Sequence, residues 1–256
     1  MLKDERRNQI IRLVEQKKNV TCAELSDTFH VTQQTIRRDL DYLDSKSKLK
    51  KAFGGAISLS SSQASISDPS FHFRKTTFLE KKKRIARAAA DLIDYNDTIA
   101  LDVSTTTLQM IPFLPEDKHI TVITNSLSAL FELYKKKNIK VVALGGELRY
   151  SSTSLLGYLA LDNLANFNIN KLFLSANSVS VKRGLMDPNI QELEIKRAML
   201  DISAHSIFLA NSEKFNTIST YTVCPVSDLD LIITDSELSS EIISDFQGEG
   251  VEFHTV

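Results

Sequence analysis

The chain has 256 residues, of which 42% are hydrophobic and 25% charged, and its formal charge is only −1. That length leaves room for one or two domains with ample core. No run of about 18 or more apolar residues occurs, so no membrane-spanning helix is expected. The opening Met-Leu-Lys-Asp-Glu-Arg-Arg is too charged for a signal peptide. Cys22 and Cys224 stand far apart and read as buried thiols of a reducing, cytoplasmic protein rather than a disulfide. His30, His72, His119, His205 and His254 show no ligand spacing, so neither a metal nor another cofactor is expected. The near-neutral total hides an asymmetry. Residues 1–57 hold twelve Lys/Arg against eight Asp/Glu, and the remainder nineteen against twenty-four. A basic head on an acidic body suits a chain that meets a polyanion at one end.

Leu2, Arg6, Ile10, Leu13 and Val14 recur at helical spacing and predict a first amphipathic helix, which Asn19-Val20 break. Thr21-Cys-Ala-Glu24 has the form of a capping box, with Thr21 bonding the backbone N–H near Glu24 while the Glu side chain reaches back. The helix it opens turns Leu25 and Phe29 inward and ends near His30, leaving space only for a tight turn. Thr32 then caps a third helix. On it, Ile36, Leu40 and Leu43 share one side, while Gln34, Arg37, Arg38 and Asp41 lie broadly opposite at 100° per residue. Helix, short helix, turn, helix is the helix-turn-helix order. A short helix held by its back, with Gln and Arg near its N-terminal end, suits base edges in a DNA major groove. Thr32, Gln33, Gln34, Thr35, Arg37 and Arg38 are the expected DNA-facing group. Residues 45–55 suit a small β-wing whose Lys48, Lys50 and Lys51 lie along phosphates. A run of lysines is more often a solvated face, and it is the adjoining reading helix that favours phosphate contact here.

These segments resemble the winged helix-turn-helix of the DeoR family of bacterial transcription regulators. The resemblance is carried by Glu5-Arg6, Val20 through Leu25, Thr35-Ile-Arg-Arg-Asp-Leu40 and Gly54-Gly55-Ala56, and the Thr35–Leu40 run is the most specific. Two positions depart from the pattern. Ser47 stands where the family usually closes the reading helix with Gly, and Phe53 where a His is common. Neither removes a DNA-facing group. Residues 58–70, rich in serine with one proline, have linker composition.

From about residue 71, short continuous apolar runs alternate with helical stretches, which predicts parallel strands covered on both faces in an open α/β sheet. The strand candidates are 98–102, 121–125, 141–145, 172–177, 207–211 and 231–235, and the helical ones 79–94, 126–137, 157–167, 190–204 and 238–246. Asp102, Asn125, Gly145, Asn177, Asn211 and Asp235 close the strands, so polar groups or glycine collect at one sheet edge, where such sheets bind ligands. Helix capping explains part of this pattern. It does not explain Ser104, Thr105, Thr106 and Thr107, four hydroxyls on one strand-to-helix turn, which with backbone N–H groups can cradle a phosphate. Gly145-Gly146 permits close backbone approach, and Lys214 supplies a cation.

Residues 75–235 resemble the sensor domain of the same family, similar in fold to ribose-phosphate isomerase, glucosamine-phosphate deaminase and CoA-transferases. The matching motifs are Asp102-Val-Ser-Thr-Thr-Thr107, Thr124-Asn125-Ser126, Gly145-Gly146-Glu147, Ser154-Leu-Leu-Gly157, Glu194-Ile-Lys-Arg197, Lys214-Phe215 and Ile233-Thr-Asp235. The resemblance implies three regions: a DNA-binding domain over 1–57, a linker over 58–70, and an effector-sensing and oligomerisation domain over 71–256. It further implies a regulator of a carbohydrate operon, most often a repressor, whose partners are a double-stranded operator and a phosphorylated metabolite. A helix-turn-helix spans two half-sites as a pair, so a homodimer or homotetramer is expected. Three departures fall at the pocket edge: Ser104 replaces a usual Gly, Asn177-Ser178 stands where Asp-Gly is common, and Asn211 where Asp is common. Amides both donate and accept where carboxylates only accept, so these changes suit a more anionic effector or a weakened response. A sugar-phosphate isomerase with an added basic domain is the alternative. It would need a positioned acid and base, and only Asp102, Glu147, Lys214 and Asp235 are available at the edge.

Overall fold

The computed structural model describes residues 3–17, 19–46, 48–52, 54–58 and 71–256. Leu2, Ser47, Phe53 and the expected linker beyond Ser58 lie outside the described residues. The chain divides into two units, Met1–Phe78 and Leu79–Val256.

In the first unit, α1 (Lys3–Lys17) carries Asp4 and Glu5 in its first turn and Lys17 in its last, matching the helix dipole. After β1 (Asn19–Thr21), Thr21 Oγ1 accepts from Glu24 N at 3.0 Å and Glu24 Oε2 accepts from Thr21 N at 2.8 Å, completing the expected capping box of α2 (Cys22–Phe29). His30 ends that helix in the left-handed region at φ 51. Thr32 caps α3 (Gln33–Ser45), accepting from Thr35 N at 3.3 Å. Ile36, Leu40 and Leu43 pack with Ile10, Val14, Val20, Leu25 and Leu49 in one apolar core. The wing is β2 (Lys50–Ala52) antiparallel to β3 (Gly55–Ile57), and β1 pairs with the other edge of β3. A Cβ on Gly55 would lie 2.0 Å from Val20 O and 2.9 Å from the Phe73 ring, so glycine is required where the wing backbone is crowded from two sides. Phe73 belongs to α4 (Phe71–Thr76), which packs on the first unit, so the division falls after Phe78 and not at residue 71.

In the second unit, α5 (Leu79–Asp91) leads into β4 (Thr98–Leu101), β5 (Thr121–Thr124), α6 (Leu127–Leu133) and β6 (Lys140–Ala143). A hairpin, β7 (Glu147–Arg149) with β8 (Ser154–Leu156), precedes α7 (Tyr158–Leu164) and β9 (Ile169–Leu174). There follow β10 (Ser178–Ser180), β11 (Gly184–Asp187), α8 (Ile190–Asp201), β12 (Ser203–Leu209), β13 (Tyr221–Cys224), β14 (Leu231–Thr234), α9 (Ser240–Gln247) and β15 (Glu252–Thr255). Seven strands form one parallel sheet in the order β15-β14-β12-β9-β4-β5-β6. Six of them overlap the runs expected from apolar continuity, β9 and β12 beginning three and four residues earlier than expected. The seventh, β15, is a largely exposed edge strand whose polar alternation hides it from that criterion. β10, β11 and β13 form a separate antiparallel sheet.

The order of the strands decides where a ligand can sit. From β4 the chain winds outward through β5 and β6, then returns to lay β9 on the other side of β4 and winds outward again through β12 and β14. The switch therefore falls between β4 and β9, and the crevice at their carboxyl ends is the place where such sheets bind ligands.

Candidate functional site

The reading helix presents the face expected of it. Gln33, Gln34, Arg37 and Arg38 are exposed on α3, Thr35 is half-buried, and Thr32 is exposed at the cap, where its hydroxyl also meets Thr35 Oγ1 at 3.0 Å. Lys48 and Lys50 are exposed around the wing. Lys51 has a further task, because its ammonium pairs with Asp41 while its backbone N–H donates to Asp44 Oδ1 at 3.1 Å. It thus tethers β2 to the reading helix. Asp39, which sequence periodicity did not single out, is 1% exposed and lies between two arginines of α1.

At the switch point, Asp102 follows β4 directly. Its Oδ2 accepts from Ser175 N, just beyond β9, at 3.0 Å, and its Oδ1 accepts from Thr107 Oγ1 at 3.0 Å. Lys196 of α8 is buried with its Nζ 2.9 Å from Asp102 Oδ2 and 2.7 Å from Asp187 Oδ2, and it donates to the Ser175 carbonyl. Burial opposes the Lys196 charge, but the two carboxylates outweigh it and raise the pKa above the ordinary lysine value. Asp187 Oδ1 also accepts from Asn177 N at 2.7 Å. A narrow cleft of ≈ 10 Å³ opens here, lined by Asp102, Val103, Asn125, Glu192, Ile195 and Lys196. Arg149 reaches from β7 to Glu192 Oε1 at 2.8 Å and to Ser152 Oγ at 3.0 Å, tying the hairpin to α8 beside the cleft.

The hydroxyl turn has unequal members. Ser104 Oγ accepts from Thr107 N at 3.0 Å, Thr107 Oγ1 serves Asp102, and Thr105 Oγ1 accepts from Lys82 Nζ at 2.9 Å. Thr106 is fully buried and its Oγ1 has no hydrogen-bond partner. The following element is a 3₁₀ helix, Thr107–Phe113, with Pro112 inside it, rather than the α-helix expected to supply N–H groups. Other expected site residues hold the fold together. Thr124 Oγ1 donates to Leu101 O at 2.7 Å, Asn125 Nδ2 donates to Leu155 O at 3.1 Å, and Ser126 Oγ caps α6. Gly146 is explained by packing, since a Cβ would lie 2.3 Å from Leu156 O. Gly145 has φ 73, a conformation that favours glycine. Lys214 Nζ donates to Ser175 Oγ and Ala176 O, each at 2.7 Å, so it joins the same strand end as Lys196.

Lys82, Arg149, Glu192 and Lys196 were not foreseen as site residues. Lys82 stands in a Lys81-Lys82-Lys83 run that reads as solvent-facing, and Lys196 within a motif noted only for its resemblance. The Glu192-Lys196 spacing of four, which puts both on one helix face, was the signal available. No cluster of three or more His, Cys, Asp or Glu suited to a metal occurs among the described residues, and no described helix is long and apolar enough to cross a membrane.

A winged helix-turn-helix joined to an α/β unit with a polar switch-point cleft defines a DNA-binding transcription regulator. Residues 6–62 match the DeoR-like helix-turn-helix domain and residues 77–236 the DeoR C terminal sensor domain. The chain belongs to the DeoR family. It is 36% identical to the uncharacterized HTH-type transcriptional regulator YulB of Bacillus subtilis, over 100% of this chain and 98% of that one. It is 34% identical to the HTH-type transcriptional regulator GolR of Listeria innocua, over 96% of both chains. Identity to the glycerol-3-phosphate regulon repressor of Escherichia coli is 31%, over 92% of both. These relatives are named regulators, not enzymes. Ribose 5-phosphate isomerase A of Methanocaldococcus jannaschii aligns over 54% of both chains at 15% identity with a TM-score of 0.41, a likeness too low to bear on the fold.

Proposed function

We propose that the protein is a cytoplasmic repressor of a carbohydrate-use operon, binding its operator as a dimer or tetramer and responding to a phosphorylated small molecule held at the β4–β9 switch point. The observation that carries the effector is Thr106. A fully buried hydroxyl without a partner is costly. It sits on the turn after β4, where Lys82 contacts its neighbour Thr105. A phosphate oxygen there would satisfy the hydroxyl with a charge-assisted bond. Relatives named for the aga operon and the glycerol-3-phosphate regulon support a sugar-related ligand.

The cleft has room for about one water, far below the ~300–1,000 Å³ of typical ligand sites, so binding has to widen it. The Arg149–Glu192 pair is the contact an anionic ligand would compete for, which gives the effector a way to prefer one conformation over another. The test is a gel shift on a duplex selected by the protein from random sequence, titrated with a panel of phosphorylated metabolites. Thr106→Val should abolish the response to the active compound and leave DNA affinity in its absence unchanged. A full response in Thr106→Val would place the effector elsewhere.

A further inference from the structure

Asp39 follows the two outward arginines of the reading helix and points the opposite way. Its carboxylate is held by both arginines of α1. Arg6 Nε and Nη2 each lie 2.7 Å from Oδ2, and Arg7 Nε donates to Oδ1 at 2.8 Å. All three residues are buried, at 9%, 8% and 1% exposure for Arg6, Arg7 and Asp39. Arg7 also stacks over the Tyr42 ring of α3 at 3.7 Å and lies 3.9 Å from Asp4. The cluster thus grips α3 on successive turns, through Asp39 and Tyr42, from a single turn of α1.

We infer that Asp39, gripped by Arg6 and Arg7, is a positioning residue that sets the roll of the reading helix and so decides which of its side chains meet base edges. The apolar stripe of Ile36, Leu40 and Leu43 holds α3 to the core, but apolar contact is non-directional and resists separation more than rotation. Successive side chains on a helix are 100° apart, so a modest roll carries Arg37 or Arg38 away from a base and toward the backbone. The two-nitrogen grip of Arg6 on Oδ2 has fixed geometry, and with Arg7 Nε bonded to the opposite oxygen it leaves the carboxylate little freedom to turn. It follows that Arg6 and Arg7, although basic and in the DNA-binding unit, contribute through Asp39 and not through phosphates.

The test compares two DNA duplexes at matched salt: one selected by the protein from random sequence, and a shuffled duplex of the same composition. Asp39→Asn should lower affinity for the selected duplex about tenfold, the scale of one good base contact, and leave the shuffled duplex bound as before or slightly tighter. The slope of log affinity against log salt should not change, because phosphate contacts are retained. In an Arg37→Ala/Arg38→Ala background, Asp39→Asn should add little further loss, since its effect runs through those side chains. Arg6→Lys and Arg7→Lys keep the charge but lose the two-nitrogen grip and the directed Nε bond respectively, and they should reproduce part of the specificity loss while remaining folded by circular dichroism if Asp39→Asn does not fold. A parallel fall on both duplexes, a loss fully additive with the arginine variants, or unchanged specificity in every folded variant would overturn the inference.

Discussion

Replacing Lys196 by Met keeps the length and helix preference of the side chain but leaves Asp102 and Asp187 without their shared cation. The ammonium lies 2.9 Å from one carboxylate and 2.7 Å from the other, in a buried position. Removing one partner of a buried pair costs about 3–5 kcal/mol. Asp102 keeps its bonds from Ser175 N and Thr107 Oγ1, and Asp187 keeps Asn177 N, so the lower end of that range is expected. For a unit the size of Leu79–Val256, about 3 kcal/mol corresponds to a fall in Tm of about 6–12 °C. Scanning calorimetry of the full chain reads this on the transition of the second unit. Adding Asp102→Asn and Asp187→Asn to Lys196→Met should recover much of the loss, because the uncompensated charges are then gone. A variant within about 1 kcal/mol of the parent, or a triple variant no more stable than Lys196→Met alone, would refute this account of the strand-end network.

Arg37→Ala or Arg38→Ala should each cost about 1–3 kcal/mol of binding to the selected duplex in a titration at fixed salt, whereas Lys50→Ala should weaken selected and random duplexes alike and flatten the salt slope. Gly55→Ala should disrupt the wing, because its Cβ would meet Val20 O at 2.0 Å; the readout is a lowered melting transition of the first unit. Asp235 is pushed up by burial, but the Ser212 hydrogen bonds and the Lys81 charge outweigh this and hold its pKa below the ordinary 3.8. Burial also opposes the Lys81 charge, yet bonds to Glu213 and Glu237 raise its pKa above 10.5. Urea midpoints should therefore show this cluster's contribution intact between those two values. It should be lost as pH falls through the lowered Asp235 value or rises through the raised Lys81 value, and Ser212→Ala should narrow the acid limb. Burial pushes the Cys224 thiol up to about 12, so a thiol reagent at pH 8 should label it only after unfolding.

Much of the molecule is legible in short stretches of sequence because the interactions concerned are local. The Thr21–Glu24 box, the Thr32 cap and the outward set of Gln34, Arg37 and Arg38 involve residues at most four positions apart, and they appear where chain spacing puts them. Six of the seven strands were equally readable as continuous apolar runs, five of them central and covered on both faces and β6 at the edge. The tertiary structure decided what periodicity could not. Asp39, Lys82 and Lys196 stand in charged stretches of the sequence, yet all three are buried. The groups that make burial tolerable are distant in the chain: Arg6 lies 33 residues from Asp39, and Ser175 lies 73 from Asp102. Only the strand order brings β4 beside β9 and turns scattered polar strand ends into one cleft. A charge is stable inside a protein when an opposite charge reaches it, and whether one does is a property of the assembled fold, which no window of neighbouring residues contains.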